Sequence, residues 1–134
     1  MAGYSGTPLP KKLGIKEQSR VALLGMPADV KNELKASLKS CRTGGEPIDV
    51  AMLFVKSTAE LKEKFVELAG RLAPAGMLWV SWPKKTSGLA TDLDENKVRE
   101  IGLATGLVDV KVCAVNDVWS GLKFVIRIKD RKQP

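Results

Sequence analysis

The residues best equipped for chemistry lie in one stretch of this 134-residue chain, Trp82-Pro83-Lys84-Lys85-Thr86-Ser87-Gly88. Two ammonium groups, two hydroxyls and a flexible glycine beside an indole suit a phosphate or carboxylate ligand. Lys56-Ser57 and Trp119 join them if their elements end at the same edge of the fold. The candidate ligand-binding set is therefore Lys56, Ser57, Trp82, Lys84, Lys85, Thr86, Ser87, Gly88 and Trp119. Lys84-x-x-Ser87-Gly88 lacks the Gly-x4-Gly-Lys order of a P-loop. The competing reading of the same residues is an exposed loop, with the two tryptophans packed as a lid on the core.

Other chemistries are excluded by composition. Histidine is absent, so no Ser-His-Asp or Cys-His nucleophile system and no His-ligated zinc or haem site can be built. Cys41 and Cys113 are too few for a thiolate cage and read as structural. No catalytic residue and no metal ligand is assigned.

The elements that must position the loop follow from the apolar pattern. Residues 20–25 and 48–55 are short, nearly pure apolar runs, as in strands buried on both faces of a parallel sheet. Residues 77–82 form a third such run, stopped by Pro83. Between them, Val30, Leu34 and Leu38 recur every four residues, which predicts a helix opened at Pro27 and Asp29 and ended by Gly44-Gly45. Ser57 and Glu60 form a capping box for a helix whose stripe is Leu61, Phe65, Leu68 and Leu72, with Pro74-Ala75-Gly76 as its terminator. A polar loop covers residues 84–92. Asp94 caps a third helix with Leu93 and Val98 as its hydrophobic staple and Gly106 at its end. Residues 107–115 and 122–128, joined by 116–121, read as an antiparallel pair.

The predicted order is β-α-β-α-β-α-β-β. It implies a three-layer, Rossmann-like α/β fold with a mostly parallel five-stranded sheet and a C-terminal antiparallel strand. The chain reads as one domain, with an N-terminal arm and short helix over 1–18, an α/β core over 19–128 and a basic tail over 129–134. Ligands of such sheets settle beyond the carboxyl ends of the strands, which is where the candidate residues fall.

The net charge of +7 sits at the chain ends: +3 in residues 1–20, +4 in residues 123–134 and neutrality between. Such ends can hold nucleic acid by neutralising phosphates, or can simply be solvated. Lys31, Lys35 and Lys39 form a second stripe, read as a solvated helix face. The longest apolar run, residues 50–55, is far below the roughly 20 residues of a membrane span, and the N-terminus lacks the blocks of a signal peptide. A cytoplasmic location is the expectation.

In element order the chain resembles a shortened class I S-adenosylmethionine-dependent methyltransferase. Residues 20–25 stand where that family's first strand and glycine stand. Residues 48–55 resemble its fourth strand, and Leu72-Ala73-Pro74-Ala75-Gly76 resembles the Leu-x-Pro-Gly-Gly turn before its fifth. The closing pair resembles its sixth and seventh strands, while its second and third have no visible counterpart. The whole chain is also similar to a small bacterial family of unestablished function. The shared stretches are Gly-Tyr-Ser-Gly-Thr-Pro-Leu at 3–9, Trp-Pro-Lys-Lys-x-Ser-Gly at 82–88, Asp-Val-Lys-Val-Cys-Ala-Val at 109–115 and Trp-Ser-Gly-Leu at 119–122.

The methyltransferase resemblance implies a glycine-rich turn against the cofactor and an acid for its ribose. Here the turn is Gly25-Met26-Pro27-Ala28, and the acid has no clear counterpart. The expectation is therefore no cofactor and a non-catalytic, methyltransferase-like binding module for an anionic small molecule or protein partner. The alternatives are a minimal S-adenosylmethionine-dependent methyltransferase and a weak nucleic-acid-associated protein acting through its basic ends.

Overall fold

A computed structural model describes residues 7–131. The chain folds around one six-stranded sheet in the order β2-β1-β3-β4-β6-β5. Its strands are β1 (Arg20–Leu24), β2 (Arg42–Thr43), β3 (Ile48–Phe54), β4 (Leu72–Pro83), β5 (Leu107–Ala114) and β6 (Trp119–Ile126). The helices are α1 (Leu9–Leu13), α2 (Ala28–Leu38), α3 (Thr58–Ala69) and α4 (Glu95–Ala104). All neighbouring pairs among β1 to β4 are parallel, and β6 runs antiparallel to both β4 and β5. The mostly parallel α/β architecture and the closing antiparallel strand are as the sequence implies.

The strand count is six rather than five. β2 was not expected because it is two exposed polar residues with no apolar pattern; the Arg42 N–H donates to Ser19 C=O at 2.8 Å and lays them beside β1. Two boundaries also move. α3 stops at Ala69, and β4 already begins at Leu72, so Pro74-Ala75-Gly76 lies within the strand. A side chain on Gly76 would stand 2.6 Å from Ile48 C=O, and the β3–β4 register shifts between Ile48 and Val50, so this stretch is an irregular edge of the pairing. β6 begins at Trp119 rather than Leu122, which puts Trp119 on a strand.

Each face of the sheet carries a core. On one side α3 and α4 cover Ile48, Ala51, Leu53, Leu78, Val80, Leu122 and Phe124, with the Phe65 and Phe124 rings edge to face at 5.1 Å. On the other, α1 and α2 cover Val21, Val50, Met52, Trp79 and Cys113. The Trp79 indole N–H donates to Leu13 C=O at 2.9 Å, which satisfies a buried donor and fastens α1 to the sheet. The outer parts of the N-terminal arm and the basic tail, residues 1–6 and 132–134, lie outside the described residues. Within them, Arg131 folds back to donate to Ile126 C=O at 3.0 Å.

Candidate functional site

The carboxyl edge of the sheet gathers Gly25 after β1, residues 55–57 after β3, residues 84–92 after β4 and the turn between β5 and β6. Side-chain oxygens tie these segments together. Ser57 Oγ accepts from Glu60 N–H at 3.1 Å, and Glu60 Oε1 reaches back to Lys56 N–H at 3.2 Å, so the expected cap on α3 forms. Thr91 Oγ1 donates to Lys56 C=O at 2.6 Å, and Asp92 Oδ1 accepts from Thr58 N–H at 2.8 Å. Asp94 Oδ1 accepts from Lys97 N–H at 2.8 Å and caps α4. The Lys84 N–H donates to Val118 C=O at 2.8 Å. Asn116 Oδ1 accepts from the N–H groups of Val118 and Trp119, and its Nδ2 donates to Asp29 Oδ2 at 3.2 Å, joining the β5–β6 turn to α2.

These bonds divide the nine candidates. Trp82, Lys84, Lys85 and Thr86 line one hollow of about 290 Å³, whose far wall is Leu93, Asp94 and Glu95 and whose side is Ser120. Ser57 is the cap of α3, and Lys56 is held by its main chain. Ser87 Oγ donates to Lys84 C=O at 2.7 Å and accepts from Leu89 N–H at 3.2 Å, so its hydroxyl shapes a 3-10 turn, Lys85–Ser87. Gly88 ends that turn with φ 80°. Trp119 does not join Trp82. In the β4–β6 register Trp82 faces Ser120 and Pro83 faces Trp119, so the two indoles project to opposite faces. Sequence reasoning missed Ser120, Glu95 and the organising Asn116; its Asx-turn chemistry was the available signal for Asn116.

Charge in the hollow is lopsided. Asp94 is spent on its cap, and Glu95 Oε2 meets Arg99 Nη2 at 2.7 Å. Arg99 also bonds Asp109 at 2.9 Å; these two carboxylates raise its pKa further. Lys84 and Lys85 have no ion pair or side-chain hydrogen bond among the described residues. Both acids are engaged while both ammonium groups are free.

The switch point between β1 and β3, where such sheets seat a nucleoside cofactor, is built differently. Gly25 has φ 71°, and a Cβ on it would lie 2.5 Å from Phe54 C=O. The glycine permits a close approach of protein to protein. Phe54 and Trp119, 5% and 6% exposed, meet edge to face at 5.2 Å, with Met26 packed against the same cluster. Pro27 opens α2 without a side-chain cap bond or an N–H of its own. The first carboxylate after β2, Glu46, pairs with Arg71 at 3.7 Å. S-adenosylmethionine, the cofactor that this fold implies, does not fit these residues: the turn is closed on Phe54, and the first carboxylate after β2 is already paired with Arg71.

The cysteines stay structural. Burial raises the Cys113 pKa against the opposing fields of Lys12, Lys111 and Lys84, and burial likewise raises that of Cys41, whose thiol donates to Ser37 C=O at 3.3 Å. Among the described residues no group of three or more His, Cys, Asp or Glu could hold a metal ion, and no helix is long and apolar enough to cross a membrane. Lys31, Lys35 and Lys39 are exposed, as a solvated helix face requires.

Residues 10–128 match the family model described as Protein of unknown function (DUF3052). The chain belongs to that family. No curated protein matches the DUF3052 chain. Solved structures similar to it include several methyltransferases. An O-methyltransferase of neocarzinostatin biosynthesis, in complex with S-adenosylmethionine, aligns at TM-score 0.63 and 10% identity over 92% of this chain and 53% of that one. A magnesium protoporphyrin IX methyltransferase from Synechocystis PCC 6803 aligns at 0.58 and 13%, over 88% and 78%. An S-adenosylmethionine-dependent methyltransferase from Aquifex aeolicus aligns at 0.58 and 18%, over 85% of each. At these identities the likeness establishes the fold of this chain and no more.

Proposed function

We propose that this protein is a non-catalytic binding module on a methyltransferase frame, and that it takes a small phosphate- or carboxylate-bearing ligand in the hollow between the end of β4 and the start of α4. The observation that carries this reading is that Lys84 and Lys85, which have no ion pair among the described residues, line the same hollow as two acids already engaged by α4. An anion there gains charge-assisted hydrogen bonds, while Thr86 and Ser120 offer hydroxyls and Trp82 an apolar floor. The packed switch point supports the absence of methyl transfer.

NMR titration of wild type and of Lys84→Ala/Lys85→Ala with nucleotides, inorganic phosphate and small carboxylates tests the reading. Saturable shifts at Thr86 and Ser120 are expected in wild type, with affinity reduced at least about tenfold in the double variant. No saturable shift with any of them refutes the small-ligand reading. S-adenosylmethionine in the same panel should give no shift at Gly25; saturable binding there would favour the methyltransferase alternative.

A further inference from the structure

The sheet ends unevenly on its β2 side. β2 pairs with β1 only at Arg20↔Arg42 and Val21↔Thr43. Gly44 and Gly45, at φ 76° and 88°, then carry the chain away from the sheet, while β1 continues to Leu24 with β3 on its other side. Residues 22–24 thus have a strand on one side only. Arg42 N–H donates to Ser19 C=O, and peptide groups along a strand turn alternately to its two neighbours. Val21 and Leu23 therefore face the β2 side, and the Leu23 peptide looks past the end of β2 at an edge with no strand beyond it. That edge is the floor of a groove of about 390 Å³ between α2 and α3, bounded by Lys31, Thr43, Gly44, Glu67, Leu68 and Arg71.

We propose that this groove binds an extended acidic segment of a partner protein, which pairs with the free edge of β1 as a short added strand. Charge chooses the occupant. Arg20, Lys31 and Arg42 have no ion pair among the described residues, and Arg20 stands directly opposite Arg42 in the ladder. Arg71 is the cation already answered there, by Glu46 at 3.7 Å and Glu67 at 4.0 Å. Carboxylates on an incoming strand would relieve the Arg20–Arg42 repulsion, whereas a second copy of this chain pairing through the same edge would bring like cations together. The free edge is about 10 Å long at roughly 3.3 Å per residue, so three or four residues of the partner pair with it. Ala22 and Leu24, both part-buried, supply the apolar contact on the α3 side.

The probe is a capped hexapeptide of alternating Asp and Val, titrated into the isotopically labelled full chain and followed by amide shifts. Saturable shifts at Leu23 and Thr43 are expected. Replacing the peptide's valines by proline, which removes the pairing N–H groups, should abolish them. Lys31→Glu/Arg42→Glu should weaken binding about fivefold or more, and Lys31→Glu alone about twofold; both side chains are exposed, so neither change disturbs the core. Lys84→Ala/Lys85→Ala should bind the peptide as wild type does, which separates this groove from the hollow at the carboxyl edge between β4 and α4. The proposal is overturned if Leu23 does not shift at millimolar peptide or if a Lys-Val hexapeptide binds as tightly. It is equally overturned if a single-stranded oligonucleotide takes the same amides, or if the chain dimerises through them.

Discussion

Gly25 and Gly44 form a matched pair that can measure how tightly the first strand's turn is closed. Their φ values are 71° and 76°, so alanine at either site incurs the same left-handed backbone cost, about 1–2 kcal/mol. The gain from restricting the unfolded chain is also common to both and cancels in the comparison. Their surroundings differ. A Cβ on Gly44 meets nothing within 4 Å, whereas a Cβ on Gly25 lies 2.5 Å from Phe54 C=O. Relief there requires the end of β1 to draw back from β3, a main-chain shift of the kind that costs about 1–3 kcal/mol in a packed interior. Gly25→Ala should therefore destabilise by about 2–5 kcal/mol and Gly44→Ala by only about 1–2 kcal/mol. Urea unfolding followed by tryptophan fluorescence reads this as a difference in midpoint at equal slope. Equal losses would mean that the turn is not closed on Phe54, and the argument against a seated nucleoside cofactor would lose its footing.

Two further perturbations test the packing that supports the site. Gly102→Ala would place its methyl 2.1 Å from Phe124 Cε1, against a ring already wedged on Phe65; crowding of about 1–3 kcal/mol should outweigh a helix-propensity gain of roughly 1 kcal/mol, so urea should show a net loss, and a net gain would refute the contact. For the thiols the shift is upward in the folded state, so the unfolded chain releases these protons first. Stability should fall as pH rises beyond about 8.5, and alkylation of Cys113 should lag far behind that of the unfolded chain; rapid labelling of folded Cys113 near neutral pH would contradict its burial.

What the sequence made legible is what local chemistry determines. The Ser57–Glu60 and Asp94 caps, the Leu93–Val98 staple and the buried run of β3 depend on residues within a few positions of one another, and each stands where its pattern implies. β1 forms at its apolar run, but only Val21 in it is buried, because β2 covers just the first two residues of its outer side. β2 was illegible because two exposed polar residues have no periodicity; a main-chain bond from Arg42 to Ser19 defines them, and that bond exists only once the sheet has formed. The site was half legible for a related reason. Topology alone brings the loop after β4 to the carboxyl edge, so Trp82, Lys84, Lys85 and Thr86 could be grouped in advance. Which face each indole takes depends on the antiparallel register of β4 and β6, where a shift of one residue exchanges the faces. Trp119 thus leaves the hollow for the crevice beside Phe54. The same registration that removes an aromatic wall from the proposed anion hollow supplies the packing at the β1–β3 switch point, so both parts of the proposed function stand on one strand pairing.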